Sequence, residues 1–174
     1  MRNDMKKLIA LVLVLSCTIT ISIPVSAAQK TPFGKLPSSQ TTNARKATSG
    51  DISPMYNDTK PWTAHSVTDG WIINDPWVGD TQYGGSAKSA SRTTDTGEIR
   101  DIDSIYARIR AYRLLSGEWM LQKQDSQTST NAADASARII DVYGTDSTVI
   151  FYGSHTYKEA GYNDINHELS DTNY

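Results

Sequence analysis

The sequence predicts an all-β protein: a small antiparallel β-sandwich or barrel-like domain, preceded by a signal peptide and a disordered linker. Three observations lead to this prediction. The first residues have the layout of a secretory signal, the segment after them is polar and aperiodic, and several segments beyond residue 60 alternate between apolar and polar side chains. The expected boundaries are 1–27 for the signal peptide, 28–60 for the linker or pro-region and 61–174 for the β domain.

The N-terminal segment combines a positive end, an apolar run and a cleavage sequence. Residues 8–15 are uniformly apolar, and residues 25–27, Val-Ser-Ala, suit the positions that signal peptidase reads. The positive end is supplied by Arg2, Lys6 and Lys7. We therefore expect a secreted, extracellular protein. No second long apolar stretch follows, so no membrane span is expected in the mature chain.

Cys17 is the only cysteine, and it raises an alternative to release. Residues 14–17, Val-Leu-Ser-Cys, outline a lipoprotein cleavage site in which Cys17 would carry a lipid anchor. Anchoring is the less favoured alternative, because Leu15 is bulky for its position and apolar residues continue beyond the cysteine. Ordinary cleavage leaves a mature chain without cysteine, which excludes disulfides, thiol catalysis and thiolate zinc sites.

Composition separates the linker from the domain. Residues 28–60 are rich in Ser, Thr, Pro, Asn and Lys and have few large apolar side chains, so they cannot offset the entropy of ordering. Residues 61–174 hold nine Lys and Arg against sixteen Asp and Glu, a formal charge of −7. Because an acidic domain repels polyanions, we expect no nucleic-acid partner, and an extracellular glycan or protein fits better.

The clearest strand pattern covers residues 99–115. Ile105, Ala107, Ile109 and Ala111 alternate with polar neighbours, a period of two that is typical of a strand with one buried face. A helix with an apolar stripe is the alternative. Ser116-Gly117 predicts a turn, and residues 119–124 predict a partner strand.

Further strands are expected on both sides of this pair. Residues 125–134 are polar and predict a loop, whereas residues 135–143 alternate again and residues 148–157 are β-branched and aromatic. Turn residues at 144–147 suggest that residues 135–157 form one hairpin. Upstream, residues 70–73 and 77–78 predict shorter strands that a turn at 74–76 interrupts.

A ligand-binding surface is predicted from aromatic and cationic side chains on strands. Residues 106–112 place alternate Tyr and Arg side chains on one sheet face, where phenol and guanidinium groups can stack on sugars or hold carboxylates. Trp71 and Trp77 lie beside turn residues and are predicted to contribute aromatic surface to ligand binding as well. The predicted site residues are Trp71, Trp77, Tyr106, Arg108, Arg110 and Tyr112. Cross-strand packing alone is the alternative explanation of this pattern.

No catalytic pattern is expected from the sequence. His155 lies in a predicted strand and is a candidate base for a small hydrolase, with Ser154 or Ser170 as nucleophile and Asp164 or Asp171 as orienting group. The spacing supports no triad, because the Gly-x-Ser-x-Gly pattern is missing from the sequence. A half-buried histidine bonded to backbone is the favoured interpretation of His155.

No metal or cofactor is expected either. Asp164, Asn166 and Glu168 have the alternate spacing that begins a calcium loop, but Leu169 stands where the turn needs glycine. A looser calcium site completed by residues such as Asp101 and Asp103 is an alternative.

The sequence therefore predicts a secreted, non-catalytic extracellular binding protein, for a glycan or a protein. Two alternatives stand beside it: an antimicrobial or antagonistic protein that is activated by trimming of residues 28–60, and the small hydrolase that uses His155.

Overall fold

In the computed structural model the chain forms two antiparallel four-stranded sheets that face each other. The structure describes residues 36–47, 60–74, 79–145 and 148–172, so the predicted signal peptide and Cys17 lie outside the described residues. One sheet has the strand order β1-β2-β3-β6 and the other β5-β4-β7-β8. The strands are β1 Ser39–Asn43, β2 Trp62–Asn74, β3 Thr81–Thr93, β4 Ile102–Leu115, β5 Glu118–Ala132, β6 Asp134–Gly144, β7 Val149–Lys158 and β8 Ile165–Asp171.

The all-β prediction is confirmed, and the helical alternative for residues 99–115 is wrong. Within the described ranges no residue is assigned to an α-helix, and no helix is long and apolar enough to cross a membrane. The interior is built from one face of each sheet. Its largest fully buried side chains are Trp62, Tyr83, Tyr157, Phe151, Ile102, Ile105 and Ile109.

The hairpin of β4 and β5 confirms the predicted turn. Ser116 and Gly117 have φ angles of 49° and 94°, and two consecutive positive values match the tight hairpin turn whose twist suits flanking strands. The predicted loop at 125–134 is wrong, because β5 continues to Ala132, opposite Ile102. β5 is an edge strand with both faces largely exposed, so its polar sequence lacks the alternation that marks a half-buried strand.

The predicted hairpin over residues 135–157 is also wrong. Both strands exist, but β6 pairs with β3, whereas β7 pairs with β4 and β8. The connection after Gly144 therefore passes from one sheet to the other. Alternation and turn residues indicate where a strand begins and ends, but they do not specify its hydrogen-bonding partner.

Strand β3 has no clear signal in the sequence, because glycine, alanine and serine dominate it and have weak strand propensity. Its small residues are needed because large rings pack on both of its faces. A Cβ atom on Gly85 would lie 2.6 Å from Cε1 of Phe151, and one on Gly84 would lie 2.7 Å from the indole of Trp71. The predicted short strand at 70–73 is the end of the longer β2.

Part of the segment expected to be a flexible linker is structured. β1 pairs with β2 from Ser39 to Asn43, and the backbone of Pro37 accepts a 2.9 Å hydrogen bond from the Ser170 N–H. The β domain therefore begins before residue 61. β1 is short, polar and exposed at a sheet edge, so the sequence offers no period by which to find it.

Removal of β1 should weaken the fold. Thr42 Oγ1 lies 2.8 Å from His167 Nε2, so removal of β1 takes away the hydrogen-bond partner of this ring nitrogen. An unsatisfied buried polar group costs about 1–3 kcal/mol. We expect a variant that starts at residue 61 to unfold at a lower temperature than one that starts at residue 36, measured by circular dichroism. Equal melting temperatures for the two variants would contradict a structural role for β1.

Candidate functional site

The predicted surface on β4 exists as an outward-facing row. The intervening residues of β4, including Ala107 and Ile109, are fully buried, so the alternate side chains point away from the second sheet. We call this row the β4 row; its members are Tyr106, Arg108, Arg110 and Tyr112.

The arginines of the β4 row are already hydrogen-bonded to side chains of neighbouring strands. Arg110 donates to Ser154 Oγ at 2.7 Å and to Glu168 Oε2 at 3.2 Å, while Arg108 donates to Gln124 Oε1. Tyr112 packs edge-on against Tyr152, with ring centroids 5.7 Å apart. These contacts are those of cross-strand packing on the outer face of a sheet.

Trp71 lies on the opposite outer face of the sandwich. It belongs to β2, in the sheet that does not contain β4, and its side chain points outward next to that of Arg138 on β6. Trp77 lies outside the described residues. The structure therefore does not bring Trp71 and the β4 row together into one surface, and the predicted set divides between two faces.

A depression surrounds Trp71 on the outer face of its sheet. The cavity has a volume of about 300 Å³. We call it the Trp71 pocket; it is lined by Asp69, Trp71, Ser86, Lys88, Ser136 and Arg138. Strand register explains how these residues meet. Asp69 lies opposite Ser86, Ser86 lies opposite Arg138, and the next row places Lys88 opposite Ser136.

Small residues form the floor of the Trp71 pocket, and long side chains form its walls. Trp71 lies opposite Gly84 on the neighbouring strand. Any residue larger than glycine at position 84 would place its Cβ atom where the indole of Trp71 lies. The Arg138 guanidinium carbon lies 5.2 Å from the indole centroid, the distance of a cation–π contact. Ser86, at the centre, is only 5% exposed.

The polar groups of the Trp71 pocket have no partners in the described part of the chain. The side chains of Asp69, Ser86, Lys88 and Ser136 form neither a hydrogen bond nor an ion pair there. Arg138 contacts the Trp71 ring but donates no side-chain hydrogen bond within the same residues. The pocket thus presents donors, acceptors and an aromatic ring that the fold itself does not use, unlike the β4 row.

Five of the six lining residues were missed from the sequence. These residues occupy alternate positions on β2, β3 and β6, which places them on one sheet face. The sequence shows this only if β3 is recognised as the strand between β2 and β6.

The second polar cluster lies inside the sandwich and contains two of the three histidines. His155 is 1% exposed; its Nδ1 is 2.9 Å from Ser89 Oγ and its Nε2 is 3.2 Å from Thr68 Oγ1. Ser89 donates to the Tyr106 carbonyl at 2.7 Å, so it accepts a proton from Nδ1, and Thr68 donates to Nε2. His155 is therefore bonded to buried hydroxyls, not to backbone as the sequence suggested.

His167 belongs to a parallel chain of hydrogen bonds. Thr42 donates to its Nε2, and its Nδ1 donates to Ser66 Oγ at 2.8 Å. Ser66 then donates to the Tyr157 hydroxyl at 2.7 Å, and Tyr157 donates to the His65 carbonyl at 2.6 Å. Ser66 and Tyr157 each accept one hydrogen bond and donate one, and the ring accepts at Nε2 and donates at Nδ1, which fits a neutral imidazole at position 167.

Burial keeps both internal histidines neutral. Desolvation, followed by the nearby His167, lowers the pKa of His155 from 6.5 to about 4. Desolvation also lowers the pKa of His167. Neither ring has a carboxylate as hydrogen-bond partner among the described residues.

A polar groove runs between the edge strands β1 and β8, with a cavity volume of about 580 Å³. It contains Asp164 and Asn166, which the calcium alternative used. Asp164 instead lies 3.5 Å from the Lys158 ammonium, and Asp103 accepts the Ala160 N–H at 2.7 Å. In the described ranges no three acidic or histidine side chains converge as metal ligands, so these residues do not assemble the looser calcium site.

Comparisons with known proteins found no matching family model, no similar curated protein and no similar solved structure.

Proposed function

We propose that this protein is a secreted, non-catalytic binding protein whose ligand is an extracellular glycan held at the Trp71 pocket. One observation supports the proposal: the Trp71 ring packs against Gly84 and lies among polar side chains that have no partners within the described fold.

The chemistry of the pocket suits a sugar. Sugars present hydroxyl groups that both donate and accept hydrogen bonds, together with apolar C–H edges. Asp69 supplies an acceptor, Lys88 and Arg138 supply donors, and Ser86 and Ser136 supply both. The indole offers apolar area beside them.

The location of the pocket also supports binding by a preformed surface. All its lining residues lie on three adjacent strands of one sheet, so backbone hydrogen bonds fix their spacing. Sites on regular elements hold their side chains with little loss of entropy on binding.

The hydrolase alternative has less support. His155 is enclosed between the sheets, and general-base catalysis requires a substrate within hydrogen-bond reach of the ring. The observation that would favour it is hydrolytic turnover that disappears in His155→Ala. Activation by trimming also has less support, because removal of residues 28–60 would take β1 out of its sheet.

We expect Trp71→Ala to weaken glycan binding at least tenfold, which corresponds to about 1.4 kcal/mol. The physical reason is loss of the aromatic surface and of the support that holds Arg138. Candidate sugars would first be found on an array of neutral and acidic oligosaccharides, and affinities would then be measured by isothermal titration calorimetry.

Tyr106→Ala is the matched control, because it removes an aromatic side chain from the opposite outer face. It should bind as the unchanged protein does. Binding of no oligosaccharide, or equal affinity in Trp71→Ala and the unchanged protein, would refute the proposal.

A further inference from the structure

We infer that the glycan bound at the Trp71 pocket carries an acid group, as a uronic or sialic acid does, an inference that rests on the proposed function. Charge, geometry and the position of Asp69 each contribute to it.

Two cations without an ion-pair partner among the described residues lie in one small pocket of an acidic domain. Lys88 and Arg138 make no ion pair with any described carboxylate, although residues 61–174 contain sixteen Asp and Glu. Other arginines of the same fold do pair: Arg92 with Asp134 at 2.9 Å and Arg113 with Asp80 at 2.6 Å. The pocket therefore has a surplus of positive charge that an anionic ligand would neutralise.

The guanidinium of Arg138 is held in a position from which it can bind a carboxylate. Its contact with the Trp71 ring supports the guanidinium at 5.2 Å while leaving the N–H groups along its edge unbonded. A planar guanidinium can donate two parallel hydrogen bonds to one carboxylate. Lys88, one row along the sheet from Arg138, adds a second positive charge.

The position of Asp69 favours a sugar with a single acid group over a polyanion as the ligand. It faces Arg138 across Ser86, in the same row of the sheet, and has no partner among the described residues. A carboxylate accepts hydrogen bonds from sugar hydroxyls but repels a second acid group. The ligand that matches all three charges has one isolated acid group and several hydroxyls nearby.

The experiment compares oligosaccharides that end in galacturonate, glucuronate or sialate with their methyl esters, which keep the ring and lose the charge. We expect the unchanged protein to bind at least one acid form tenfold or more tightly than its ester, and the preference to fall with added NaCl. Arg138→Gln should abolish the preference. Arg108→Gln, in the β4 row of the other sheet, should retain it.

The outcomes separate this inference from the proposed function. Equal binding of acids and esters, lost in Trp71→Ala, would overturn the acid group and keep the glycan site. Binding of no sugar would overturn both. An acid preference that survives in Arg138→Gln, Lys88→Met and the double variant would also overturn the inference, because the charge would then be recognised elsewhere.

Discussion

Between pH 6.5 and pH 4 the protein is expected to lose about 3 kcal/mol of unfolding free energy through His155 alone. The amount follows from a pKa of about 4 in the folded state against 6.5 in the unfolded chain, at about 1.4 kcal/mol for each unit of difference. The unfolded chain binds the proton first as the pH falls. This stabilisation is therefore complete above pH 6.5 and is lost progressively toward pH 4.

The hydrogen bonds around His155 explain this sensitivity. A second proton on the ring would add a donor at Nε2, where Thr68 already donates, and would place a charge in the interior. The lowered pKa of His167 acts in the same direction. Acid should thus loosen the contact between the two sheets, because the imidazoles of one sheet bond to hydroxyls of the other.

Urea unfolding at a series of pH values measures the effect. His155→Gln should flatten much of the stability profile between pH 6.5 and pH 4, whereas His65→Gln should change it less, because His65 is only half-buried, although burial and the Arg92 charge lower its pKa too. NMR titration of the imidazole C–H signals gives the His155 pKa directly in the unchanged protein. A His155 pKa near 6.5 would rule the explanation out.

The second large effect is expected at Glu159. We predict that Glu159→Ala lowers the unfolding free energy by about 3 kcal/mol, because it takes a carboxylate away from a buried guanidinium. Arg100 Nη2 lies 3.2 Å from Glu159 Oε1, and the two side chains are 2% and 0% exposed. Glu159 Oε2 also accepts the Asp103 N–H at 2.9 Å.

The surroundings of this ion pair make its loss costly. The Arg100 guanidinium lies 5.7 Å from the Trp62 ring centroid and 5.8 Å from that of Tyr162, so it cannot move into water without unpacking them. Burial raises the pKa of Glu159, although the Asp103 N–H and the Arg100 charge oppose that rise. Removal of Glu159 would therefore leave Arg100 buried without the carboxylate charge that offsets part of its cost of desolvation.

Chemical denaturation of Glu159→Ala and Asp134→Ala provides the comparison. Asp134 pairs with Arg92 at 2.9 Å, but its side chain is 57% exposed. Exposed pairs contribute about 0–1 kcal/mol, so Asp134→Ala should change stability little. Equal losses in the two variants would show that burial does not set the strength of the Arg100–Glu159 pair.

Local sequence patterns predicted some elements well. The alternation in residues 102–115 and the Ser116-Gly117 turn identified β4 and the start of β5, because side-chain period and turn geometry depend on neighbours in the chain. Strands without an apolar face, β1 and most of β5, gave no such signal. β3 gave none because its small residues accommodate rings from distant parts of the chain.

The candidate site was predicted only in part, for the same reason. The sequence predicts Trp71 as a site residue because it is an aromatic residue beside a turn, but its neighbours Ser86, Lys88 and Arg138 come from strands whose pairing the sequence does not reveal. The β4 row was found correctly as a row. Its arginines are bonded to Gln124, Ser154 and Glu168, and a sequence pattern cannot show such contacts.

The sequence by itself determined that the protein is built from antiparallel strands and where several of them lie, because strand period and turn chemistry are local properties. Only the tertiary structure decided which strands pair, that β6 and β7 lie in different sheets, and that Trp71 is surrounded by unpartnered polar groups. Pairing is decided by the packing of two whole sheet faces against each other, a long-range property that no short stretch of sequence contains.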